Sequence, residues 1–224
     1  MKARYLILSS ALTLGFAGCG SGDDPDPRLE TYSLDKAAVQ RATTIMSLSA
    51  SANAWSFTWD SVPAADEVFE GVVSKKTMES VTFKDNGVVT SVDLTDVYHS
   101  LNPYFERGSI RAPGGFYSPY YAVMTRDGDY PTAGRIGESG PLATGIQYED
   151  ATQTVVVGRV VTTWSIEVAS ATTAYGCDNN VYQDAAGVPK DQSRSWCYEL
   201  DSTSNIVGVR LTLRNPGAEP VVLQ

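Results

Sequence analysis

Three cysteines, one histidine, 26 carboxylic acids and a crowd of tyrosines are the groups in this chain with chemistry to offer. His99, in DVYHSLNPY, is the one base a Ser-His-Asp arrangement could use. No serine nearby is marked as its partner. The nearest candidate, Gly137-Glu138-Ser139-Gly140, lacks the G-x-S-x-G spacing of a strained nucleophile turn. Zinc finds no ligand set, because Cys177 and Cys197 have no CxxC neighbour and GCDNNVYQDAAGVPKDQSRSWC holds no histidine. Asp127-Gly128-Asp129 and Asp178-Asn179-Asn180 carry oxygen ligands that calcium could use, but they read as turn formers without a calcium-loop pattern. No phosphate-cradling glycine loop precedes a Lys-Ser/Thr pair. No cofactor or metal is therefore expected. Paired carboxylates remain eligible as glycosidase acid and base, a chemistry set by separation in space and not along the chain.

The densest constellation is aromatic. Tyr104, Phe105, Phe116, Tyr117, Tyr120, Tyr121 and Tyr130 lie close together in sequence, interleaved with Arg107, Arg111 and Arg126. Tyrosine joins a flat apolar face to a hydroxyl and suits surfaces that are partly wet. Tyr104, Phe116, Tyr117, Tyr120, Tyr121 and Tyr130 are the binding candidates, for stacking sugar rings or gripping a protein. The competing reading is that they pack against a sheet and pin a loop.

The front of the chain supplies an address. MKARY places Lys2 and Arg4 before the apolar run LILSSALTLGFAG, and Gly20 to Asp24 close that run too early for a membrane span. This is the pattern of an export signal over residues 1–18. Phe16-Ala17-Gly18-Cys19 resembles the lipobox of bacterial lipoproteins, although Phe16 stands where leucine is most common. The resemblance implies cleavage before Cys19, diacylglycerol on its thiol and acylation of the new amino terminus. It makes the membrane a partner and, with Gly20 in place of a retaining aspartate, favours the outer membrane of a bacterial envelope. Residues 19–28 then form a flexible acidic tether, GSGDDPDP, with a reach of about 30 Å. If lipid consumes Cys19, Cys177 and Cys197 remain as a disulfide pair in an oxidising compartment. Two buried free thiols are the alternative.

These residues must be positioned by a single β-rich domain over 29–224. Once Lys2 and Arg4 are set aside, 15 basic residues face 26 acidic ones, with no basic cluster to hold nucleic acid. Ser33 is placed to cap a short helix over LDKAAVQRATTIM. Beyond it the period is two. WSFTW alternates, and MESVTF and VVTSVDL flank Lys84-Asp85-Asn86-Gly87, where Asn-Gly predicts a type I′ hairpin. TQTVVVGRVVTTWSIEVASA sets Trp164, Ile166 and Val168 on one face. SWCYEL and IVGVRLTL follow, with Val207, Val209, Leu211 and Leu213 expected inward. The segment from Thr95 to Leu142, crowded with Gly, Pro and Tyr, reads as a long irregular central loop region. The fold class is mainly β, an antiparallel β-sandwich or barrel with one short N-terminal helix. VTFKDNGVVTSV, after FEGVV, resembles the strand-turn-strand of lipocalin-like domains, without the glycine-x-tryptophan signature. That resemblance implies an up-and-down barrel with a small-ligand cavity.

The sequence is thus read as a lipid-anchored envelope protein with a non-catalytic binding or structural role toward a glycan, a small ligand or a protein. A carboxylate-dependent hydrolase of the cell envelope is the alternative.

Overall fold

The computed structural model describes Pro27 and residues 29–224, apart from Phe116 and Tyr117. The expected export signal, Cys19, and the Phe116 and Tyr117 candidates lie outside the described residues.

Helix α1 (Leu34–Thr43) begins where Ser33 accepts a hydrogen bond from the Lys36 amide at 3.1 Å. It ends short of the expected Met46. The β-branched pair Thr43-Thr44 turns the chain extended, leaving Ile45 exposed and Met46 as the first residue of a strand. The strands that follow are β1 (Met46–Ala52), β2 (Trp55–Pro63), β3 (Glu67–Phe69), β4 (Val72–Asp85) and β5 (Val88–Leu101). Then come β6 (Tyr104–Arg111), β7 (Tyr120–Arg126), β8 (Ser139–Tyr148) and β9 (Val156–Val168). The last four are β10 (Ala174–Gln183), β11 (Pro189–Leu200), β12 (Ile206–Arg214) and β13 (Val221–Leu223).

All of them belong to one antiparallel meander in which each strand pairs with its neighbours in sequence, β3 excepted, which pairs with β4 alone. The sheet curls into a nearly closed barrel. At the seam, the Ser51 amide of β1 reaches the Gln224 carbonyl just past β13 at 3.3 Å. In an up-and-down meander the turns alternate between two ends. One end carries the Asn86-Gly87 hairpin, both residues at positive φ (48° and 79°) as the type I′ turn requires. The other is closed by α1, which lies across it. The helix is tied to that end by Leu34 N to Pro131 O (3.0 Å), Ser33 N to Ser204 Oγ (2.9 Å) and Ser61 Oγ to Arg41 O (3.2 Å).

The core fills one side of the barrel. Phe57 and Trp59 of β2, Phe83 of β4, Trp196 and Tyr198 of β11 and Leu211 of β12 pack together, and Leu34 of the helix joins them. Phe57 and Trp196 approach to 5.4 Å between ring centroids, and Trp59 and Tyr198 to 5.6 Å. The outer face is polar across β1 and β2, where Ser47 bonds Asp60 at 2.6 Å and Ser49 meets Thr58 at 3.0 Å, while β4, β5 and β6 expose Met78, Val92, Leu94 and Ile110.

Two expectations change here. Most of the segment from Thr95 to Leu142 is sheet: it holds the end of β5, all of β6 and β7 and the start of β8. Its alternation is hidden because neither face follows the rule of one apolar and one wet. Inside, the strands carry Glu106, Arg111 and Tyr120 into the barrel. Outside, Phe69 of β3 stacks on Tyr98 at 4.4 Å and on Tyr121 at 5.3 Å. Gly108 makes room for this cover, since a Cβ there would stand 2.2 Å from the Ala122 carbonyl and 2.5 Å from Phe69. On β12, Val209 and Leu211 are buried as expected, but Val207 is exposed. Leu200 pairs with Ile206 and Glu199 with Gly208, so Val207 is the extra residue of a bulge and Ile206 takes the inward place.

Candidate functional site

The other side of the barrel is not packed shut. A cavity of about 140 Å³ runs inside it, lined by residues of nearly every strand and floored by Arg41 of α1. The helix presents Leu34, Ala37, Ala38, Arg41 and Ala42 on one stripe, so the same periodicity that buries the alanines carries Arg41 inward. Arg41 is only 6% exposed.

Its guanidinium is the hub of the floor. Nη1 donates to Tyr198 Oη at 2.9 Å and to Asp178 Oδ2 at 3.3 Å, and Nη2 donates to Tyr104 Oη at 2.8 Å. Glu106 stands 3.6 Å from Nη2 and Glu79 stands 3.9 Å from Nε, within ion-pair range but without a hydrogen bond. Tyr130 Oη donates to the second oxygen of Asp178 at 2.6 Å. Three carboxylates, from β4, β6 and β10, thus surround one cation.

The electrostatics follow from this crowding. Burial opposes the charge on Arg41, but Tyr104, Tyr198, Glu79 and Asp178 hold its pKa well above the ordinary value. Burial pushes Glu106 up to about 7. Glu79 and Asp178 add to the rise, while Arg41 and Arg194 oppose it. The Glu106 side chain keeps 35% of its surface and lines the cavity. Burial, with Arg41 close by, drives His99 well below the usual histidine range, so it is neutral. Because Arg41 can only donate, Tyr104 accepts from it, and its own hydroxyl is free to donate to His99 Nδ1 at 2.9 Å. The tautomer that completes this chain carries its proton on Nε2.

The sequence candidates divide. Tyr130 lines the floor beside Asp178, and Tyr120 lines the cavity from the start of β7, with Arg111 stacked 4.7 Å from its ring centroid. Tyr104 is buried and supports Arg41 and His99. Tyr121 points out of the barrel, under Phe69, and its hydroxyl donates to Glu70. Adjacent residues on a strand face opposite sides, so Tyr120 and Tyr121 cannot share a site. Cys177 and Cys197 are directly opposite on β10 and β11 and form a disulfide on the outer face. Arg210 covers it, with Nη2 at 3.2 Å from Cys197 Sγ and 2.5 Å from Glu167.

Sequence reasoning missed Arg41, Glu79, Glu106, Asp178, Trp59 and Trp196 as members of one site. A signal was present for two of them. Arg41 falls seven residues after Leu34 on an apolar helical stripe, and Glu79 shares strand parity with Val81 and Phe83. Among the described residues no group of three or more His, Cys, Asp or Glu side chains is placed to hold a metal ion.

No family model matches this chain, and neither a curated protein nor a solved structure matches it. The site must be read from its own geometry.

Proposed function

We propose that this protein is a lipid-anchored envelope lipoprotein whose barrel binds a small ligand in its interior. The observation that carries the reading is the charged cavity beside a complete apolar core. Side chains just fill a barrel of about eight strands, and the twelve strands of this ring leave more room than that. Charges taken out of water cost more than well-packed apolar residues of the same volume. Glu79 and Glu106 go further, since they crowd a cation already hydrogen-bonded to Asp178, Tyr104 and Tyr198. Such an interior serves a ligand better than it serves the fold. The lipobox-like Phe16-Ala17-Gly18-Cys19 and the acidic tether support anchoring at an envelope membrane, the outer membrane by preference.

Hydrolysis is the second reading, favoured by one observation: Glu106, held half-protonated near neutrality beside two more carboxylates, has the make-up of a general acid. The carboxylates converge on Arg41, however, and not on an open cleft where a scissile bond would lie. Binding is therefore preferred.

Thermal unfolding of the full-length protein against envelope glycans, peptidoglycan fragments, amines, organic acids and fatty acids tests the proposal. A ligand at a hundred times its Kd adds about 2.7 kcal/mol. A rise in melting temperature for one class, abolished when Ala143→Phe fills the cavity, is the expected result. Uniformly flat melts on a folded sample would refute it. Anchoring is tested by Cys19→Ser, which should release the protein from the membrane fraction.

A further inference from the structure

The cavity specifies more than the presence of a ligand. Its charges nearly cancel: Arg41, Arg111 and Arg194 stand against Glu79, Asp93, Glu106 and Asp178. A cavity so balanced offers no net field to draw in an ion of either sign. It offers instead acceptors and donors side by side: Glu79 is a diagonal neighbour of Trp59 across β2 and β4, and Asp178 pairs directly with Trp196 across β10 and β11. Glu79 Oε1 is a buried acceptor without a hydrogen bond. Beside these carboxylates are two indole donors. Trp59 and Trp196, 1% and 8% exposed, both line the cavity, and neither Nε1–H has a hydrogen-bond partner. Unpaired buried donors are costly, and they mark the place where a ligand oxygen would be accepted gladly. The same side chains, with Tyr130 and Tyr198, make part of the lining aromatic.

We propose that the occupant is an uncharged, hydroxyl-rich molecule of monosaccharide size, donating to Glu79 and Glu106 and accepting from the indoles of Trp59 and Trp196. This rests on reading the barrel as a ligand-binding protein. A hydroxyl both donates and accepts, so one kind of group answers the carboxylates and the indoles alike. Size points the same way: about 140 Å³ is well below the roughly 300–1,000 Å³ of sites for drug-sized ligands. An apolar occupant would leave the carboxylates unanswered, and a cation would face three guanidinium groups.

The test is a calorimetric titration of the full-length protein with glucose, galactose and N-acetylglucosamine, alongside putrescine, succinate and octanoate. At least one sugar is expected to bind saturably, while the amine, the diacid and the fatty acid do not. Glu106→Gln keeps an acceptor without the charge and should weaken sugar binding no more than about tenfold, the scale of one hydrogen bond. Trp196→Phe keeps the ring and removes the donor, for a loss of about three- to tenfold, and Trp59→Phe serves as its independent repeat. Saturable binding of putrescine, succinate or octanoate with none of any sugar would overturn this inference and leave the ligand-binding reading standing. So would sugar binding abolished outright by Glu106→Gln, which would make the charge itself the recognition element. No binding by any of the six would contradict both.

Discussion

The two sides of the barrel solve the same problem in opposite ways. Around Phe57, Trp59, Trp196 and Leu211 the interior is filled by apolar packing, with ring centroids 5.4–6.2 Å apart, and the last three residues also border the cavity. Around Arg41 it is held by charge, with three carboxylates and two phenols about one guanidinium. The first arrangement draws its stability from burial and tolerates any pH. The second leans on ionisation states, leaves acceptors unfilled and keeps a cavity. The contrast teaches where function resides: the charges about Arg41, and the unpaired indole donors of Trp59 and Trp196 where the two sides meet, are polarity that the fold does not require.

Removing the centre of each side should destabilise by similar amounts for different reasons. Arg41→Met leaves Asp178, Glu79 and Glu106 crowded without a cation, and about 3–5 kcal/mol should be lost near neutral pH. Leu211→Ala leaves a void in the apolar core and should cost about 2–5 kcal/mol. Denaturant unfolding across pH separates the two. The Arg41→Met loss should shrink as pH falls and the carboxylates protonate, whereas the Leu211→Ala loss should stay level. Parallel pH profiles would erase the distinction between the sides.

The disulfide comes next in size. It closes a loop of 20 residues, so replacing Cys177 and Cys197 by serine should cost about 3 kcal/mol in the chain-entropy model. Because the bridge lies on the outer face, the loss should be the same at every pH and should leave ligand affinity unchanged. Unfolding and titration of the double variant check both points.

The smallest effect belongs to Glu106. Its folded pKa of about 7 lies above its ordinary 4.5, so the native state holds more protons than the unfolded state between those values. Stability carried by that proton is full below about 4.5 and is lost as pH rises through about 7. Glu106→Gln should therefore melt higher than wild type at pH 8 and lose that advantage by pH 4. The difference should be a few degrees at most, because a third of the side chain is exposed and its interactions are screened. Differential scanning calorimetry at the two pH values reads it directly.

What could be read in advance was local. The Ser33 cap depends on residues three positions apart, and the Asn86-Gly87 hairpin on two, so both were legible before any fold was known. The cysteine pair followed from counting. The fold class was legible as strand periodicity, but closure into a barrel depends on register between distant strands, β1 meeting the chain end beyond β13. The site was harder still. Its charges come from α1, β4, β6 and β10, which no sequence spacing relates. Tyr120 and Tyr121 were grouped because β7 was read as loop. Once it is a strand, alternation separates them.

The central claim is that Glu79 and Glu106 are held in the cavity for a ligand and against the interest of the fold. The most direct test replaces both by glutamine and measures the unfolding free energy at pH 8. Asp178, Tyr104 and Tyr198 would still serve Arg41. Stability equal to or above wild type is the predicted result. A loss of several kcal/mol would show that the two carboxylates hold the barrel together, and the cavity would then be a by-product of structure.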